Sequence, residues 1–106
     1  MPYIVTSVKY PSHIGTEVGK KYLEALQKFP LGSGPGETII PAAVRGTTEG
    51  VRVFGVTKVK DEEFMEAWKR IGDMLALFLE IEGLEYTVEY WLEIQDALEL
   101  VGMKLP

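Results

Sequence analysis

The sequence predicts an α+β fold in which the elements run βαββαβ, with a short helix appended at the end. Three observations predict it. Four segments are rich in β-branched and aromatic residues, two longer ones carry apolar residues at helical spacing, and Gly or Pro clusters mark the joints.

Strand one is Tyr3 to Tyr10, ended by Pro11, which has no backbone N–H for a sheet ladder. Helix one starts at Ser12 as an N-cap, carries Ile14, Val18, Tyr22, Ala25, Leu26 and Phe29 on one side, and stops at Pro30. Leu31 to Gly36 is too rich in Gly and Pro for anything but an irregular loop. Strands two, Thr38–Thr47, and three, Val51–Val59, form a hairpin around the turn Gly46 to Gly50, and Pro41 puts strand two at an edge. Asp61 caps helix two, with Glu62 and Glu63 in the first turn where the helix dipole favours acids. Its buried stripe is Phe64, Trp68, Ile71, Leu75, Phe78 and Leu79, and Gly83 stops it after Glu82. Strand four alternates from Leu84 to Leu92, and a third helix from Glu93 to Val101 ends before Gly102.

This order is the ferredoxin-like pattern, which lays both helices on one face of a four-stranded antiparallel sheet with strands one and three in the centre. At 106 residues the chain reads as a single domain, 1–106, because a second core would leave each half too little surface to bury. Eleven Lys and Arg against 16 Asp and Glu give a net charge of −5, which argues against nucleic acid or an anionic membrane as a partner. With no Cys there is no disulfide, thiolate nucleophile or thiolate-held metal. The first residues turn polar too soon for a signal peptide, and the longest apolar run, Met74 to Leu79, is short for a membrane span, so the expected location is cytoplasmic.

Strand three has no plainly solvated side. If Val51, Val53 and Val59 face the helices together with Leu84, Tyr86 and Val88, then Phe54, Val56, Trp91, Tyr3 and Val5 line the opposite face. A soluble monomer rarely leaves such a patch bare, and a second copy packed sheet to sheet about a two-fold axis would cover it. The expected partner is therefore another copy of the chain. The third helix covers an edge or reaches across to that copy.

A chain of this size with βαββαβ order, a Gly/Pro-rich loop before the hairpin and a sheet apolar on both sides resembles the dimeric α+β barrel superfamily. The resemblance implies a homodimer whose members range over cofactor-free monooxygenases, haem-degrading enzymes, isomerases, stress-responsive barrels and uncharacterised small proteins. It names no reaction for this chain.

His13, the only histidine, could serve as a general base or as a metal or haem ligand, or could be an exposed residue at a helix start. A zinc site would need both copies or mainly carboxylates, so no metal and no cofactor are expected. A Ser–His–carboxylate triad built on Ser7 or Ser12 lacks the nucleophile-elbow turn, and Gly32 to Gly36 lacks the strand-to-helix context of a phosphate loop.

Charges within strands point to the open face. Arg52, Lys58, Glu85 and Glu89 fall on the same side as Phe54 and Trp91, either as cross-strand ion pairs or as a ligand site. In the ligand reading, Lys9 or Arg52 orients an anionic or carbonyl group while Phe54 and Trp91 form the wall, with Glu89 beside them. Trp68, with Tyr22, Tyr86 and Tyr90, marks either core or a second pocket between helices and sheet, where the resemblance puts aromatic substrates.

Three functions remain open. The chain is a small homodimeric barrel that binds a small molecule; or a cofactor-independent monooxygenase or isomerase acting on a small aromatic or carbonyl substrate, with His13 as base; or a ligand-sensing regulatory domain.

Overall fold

Eight alternating residues open the chain as β1 (Tyr3–Tyr10), which takes the centre of a four-stranded antiparallel sheet in a computed structural model describing Met1 to Pro106. The other elements are α1 (Gly15–Lys28), β2 (Glu37–Thr47), β3 (Gly50–Lys58), α2 (Phe64–Ala76), β4 (Glu85–Trp91) and α3 (Ile94–Leu100). The strand order is β2-β3-β1-β4, so β1 and β3 are central and β2 lies at an edge.

Both long helices begin differently from the capped starts the sequence suggests. Ser12–Ile14 and Asp61–Glu63 are 3-10 turns, flanked by extended Pro11 and Lys60, and neither Ser12 nor Asp61 accepts a capping hydrogen bond. The tighter turn gives the first N–H groups backbone acceptors, Ile14 donating to the Pro11 carbonyl and Glu63 to that of Lys60, so no side-chain cap is needed. Helix two also ends early, with Leu77–Glu80 as another 3-10 turn, and this rotates Leu79 out of the apolar stripe into solvent.

β2 and β3 are joined through Thr48 and Glu49 with Thr47 opposite Gly50. The positive φ comes from Gly50 alone, at 134°, while Gly46 stays in ordinary strand geometry. Pro41 sits where the register of β2 slips between Ile40 and Ala43, a bulge that an edge strand tolerates and a central one would not.

The core has two lobes on the helix side of the sheet. One joins Tyr10 of β1 to Val18 and Ala25 of α1 and to Phe78 and Ile81. The other joins Ile4 and Val59 to Ala67 of α2, flanked by Phe64, Trp68, Ile71 and Val88. Tyr86 and Val88 pair across the sheet with Val8 and Thr6, which confirms that even-numbered residues of β1 and β4 face the helices. Lys21 ties α1 to the end of the second helical segment through Glu80.

α3 takes no part in either lobe. None of its residues is buried, and Ile94 and Leu100, with Val101 just beyond its end, are 63%, 76% and 67% exposed. The radius of gyration is 15.4 Å, above the roughly 13 Å expected for a compact chain of this length. α3 therefore lies outside both core lobes of the protomer.

Candidate functional site

The face away from the helices is built by odd residues of β1 and β4 and even residues of β3. Strand pairing arranges them in rows across the sheet. Lys58, Tyr3 and Trp91 stand abreast at one end, followed by Val56, Val5 and Glu89, and then by Phe54, Ser7 and Thr87. The last row is Arg45, Arg52, Lys9 and Glu85, running from the edge of β2 to the edge of β4.

This last row decides the electrostatics. Three cations lie on adjacent strands with a single carboxylate at the end. None of Lys9, Arg45 or Arg52 forms an ion pair, although Glu85 is the register partner of Lys9. Like charges directly opposite one another destabilise a sheet, so the Arg45–Arg52–Lys9 row has no stabilising role within the protomer. Above it lies an open concavity of about 620 Å³, whose walls include Ser7, Ala43, Phe54 and Thr87 with the four charged side chains.

Of the residues picked out from sequence, Lys9, Arg52 and Phe54 meet at this concavity. Glu89 and Trp91 share the same face two rows or more away, joined by a hydrogen bond that the Trp91 indole donates to the Glu89 carboxylate at 3.2 Å. His13 is exposed in the turn before α1 and lines no part of the concavity. Arg45 escaped the sequence reading. Its signal was the two-residue hairpin loop, which places Thr47 opposite Gly50 and therefore Arg45 opposite Arg52.

At the other end of the face, Lys58 lies 3.2 Å from Glu93, and the Met1 ammonium lies 3.6 Å from the same carboxylate. The hydrogen bond between Lys58 and Glu93 raises the Lys58 pKa and lowers that of Glu93.

A smaller cavity of about 160 Å³ lies between helices and sheet, beneath the Leu31–Gly36 loop. Tyr22 and Arg70 border it, whereas Trp68 does not. Trp68 instead stacks on Phe64 at 5.5 Å, and Tyr90 meets the same ring edge-on at 5.1 Å. Arg70 crosses the loop, donating a hydrogen bond to Ser33 and lying over the Phe29 ring at 5.2 Å. No three His, Asp or Glu side chains converge in a metal-holding group, and no helix is long and apolar enough to cross a membrane.

No family model and no curated protein matches the chain. Among solved structures it is similar to the de novo designed protein Foldit4, with a TM-score of 0.57 and 15% identity over 87% of this chain and 97% of that one. The chain has a ferredoxin-like α+β fold. A weaker likeness, with a TM-score of 0.37 and 14% identity, relates it to a Thermus thermophilus chain provisionally described as a PII-like signaling protein, over 92% of this chain and 95% of that one. At 15% identity the likeness to Foldit4 speaks to the fold alone and assigns no ligand.

Proposed function

We propose that the chain acts as a homodimeric α+β barrel that binds a small anionic molecule at the seam between two copies. The observation that carries this reading is the unpaired row of Arg45, Arg52 and Lys9 at the floor of the concavity. Two guanidinium groups and an ammonium suit a carboxylate or phosphate, and Arg offers bidentate hydrogen bonding to either. Phe54 supplies an apolar wall for the rest of the ligand.

The dimer half of the reading is supported by Tyr3, Val5, Phe54, Val56 and Trp91, which leave the second sheet face apolar and uncovered. Sheet-to-sheet packing would roof the concavity and exclude water, which strengthens charge recognition there. An oxygenase or isomerase has less support, because His13 lies outside both cavities and Trp68 is held in an aromatic stack.

Light scattering and thermal unfolding with citrate and pyrophosphate test the proposal. The expected result is a particle of twice 11.9 kDa whose unfolding temperature rises with at least one anion, an effect lost in Arg52→Ala. A monomer at micromolar concentration overturns the dimer, and an anion response unchanged by Arg52→Ala overturns the site.

A further inference from the structure

Two surfaces of this protomer are apolar and unpartnered: the open sheet face, and α3 with the tail that follows it. We infer that they belong together across the dimer, the α3 segment of each copy lying on the basic end of the other copy's open face. The inference rests on the homodimer proposed above and names which segment of the second copy completes the site.

Charge complementarity carries it. The row of Arg45, Arg52, Lys9 and Glu85 has three cations and one acid, a net of +2. The opposite end of the face, taken with α3 and its tail, holds five acids: Glu37, Glu89, Glu93, Asp96 and Glu99. Its cations are Lys58, Lys104 and the Met1 ammonium, for a net of −2. The open face is thus a strip with a positive end and a negative end.

That polarity limits the symmetry of the pair. A two-fold axis parallel to the strands would lay each basic row on its own copy, with six cations facing one another. An axis running across the strands lays the basic end of each copy against the acidic end of the other, twice over by symmetry. α3 leaves the sheet at the acidic end, just after Trp91 and Leu92, so this arrangement carries it to the partner's concavity.

The size is sufficient. Four strands spaced about 4.8 Å apart and some eight residues long at about 3.3 Å each give a footprint of roughly 500 Å². Counted on both copies this flat projection is about 1,000 Å², and the accessible surface buried beneath it, larger than the projection, reaches the roughly 1,200 Å² at which specific interfaces begin. The apolar side chains Ile94, Leu100 and Val101, exposed in the protomer, then have Phe54 and Ala43 to pack against.

The absence of cysteine makes a cross-linking test clean. Leu100→Cys places a thiol on α3, and Glu85→Cys places one on the basic row without removing a cation. The two single-cysteine chains are refolded together and treated with a short bismaleimide. The expected outcome is a covalent dimer in the mixture, about tenfold or more above that of either chain alone, because docked thiols meet at millimolar effective concentration. Adding Arg52→Glu to the acceptor chain should cut the yield, and Glu99→Arg on the donor chain should restore part of it. A dimer by light scattering with no mixed cross-link overturns the α3 placement and leaves the homodimer standing. A monomer by light scattering overturns both.

Discussion

Lys58 at the end of β3 holds Glu93 at 3.2 Å, and this ion pair fixes where α3 leaves the sheet. The two residues are far apart in sequence, yet their pairing sets the direction of the segment that has no core contact of its own.

The pair makes α3 sensitive to pH at both extremes. Glu93 has a lowered pKa when folded, so its contribution is present above the usual carboxylate range and lost as pH falls through the folded value. Lys58 has a raised pKa, so its contribution is complete below the usual lysine range and lost as pH rises through the folded value. Glu93→Gln should speed amide exchange in Ile94–Leu100 at neutral pH while leaving the main unfolding transition in place, because both side chains are only half-buried, within reach of screening solvent, and α3 adds nothing to the core. Exchange measured by mass spectrometry checks this.

Arg52→Thr should stabilise the isolated protomer while weakening its response to anions. The substitution removes a charge flanked by Arg45 on one side and Lys9 on the other and introduces a good strand former. A gain of about 0.5 kcal/mol is expected in urea unfolding at a dilution that keeps the chain monomeric. A loss of stability would show that the row supports the fold.

Gly50→Ala should be costly. At φ of 134° a side chain is strained, and an added Cβ would lie 2.5 Å from the carbonyl oxygen of Tyr10, which is backbone and cannot swing away. A loss of at least about 2 kcal/mol is expected in chemical denaturation.

Ile4→Ala removes a side chain only 1% exposed from the small lobe formed with Val59 and Ala67. The expected loss is about 3 kcal/mol by calorimetry or urea unfolding. Because only a few residues form that lobe, the remaining ones have little with which to refill the space.

Arg70→Ala should release the Leu31–Gly36 loop. The arginine holds it through Ser33 and rests over Phe29, and no other side chain bonds across to it. Limited proteolysis should cut within this loop faster than in the parent chain, with global stability changed by no more than about 0.5 kcal/mol.

Much of the fold was legible in one dimension because it is written in local periodicity. Alternation in β1 and β3 placed Val53 inside and Arg52 outside, and helical spacing placed Ala25 and Leu75 against the sheet but passed over Ala67, the most buried residue of α2. The helix starts at Ser12 and Asp61 misled, since 3-10 turns share the composition of capped helices and differ only in backbone pairing.

By itself the sequence determined the element order, the two central strands, the edge position of β2 and the set of residues on each sheet face, all consequences of side-chain period and proline chemistry. Only the tertiary structure decided that Arg45, Arg52, Lys9 and Glu85 form one row, that Trp68 belongs to an aromatic stack, and that α3 stands clear of the core. The physical reason is register: period tells which way a strand residue points, but its neighbours across the sheet depend on loop length, bulges and pairings between segments distant in the chain.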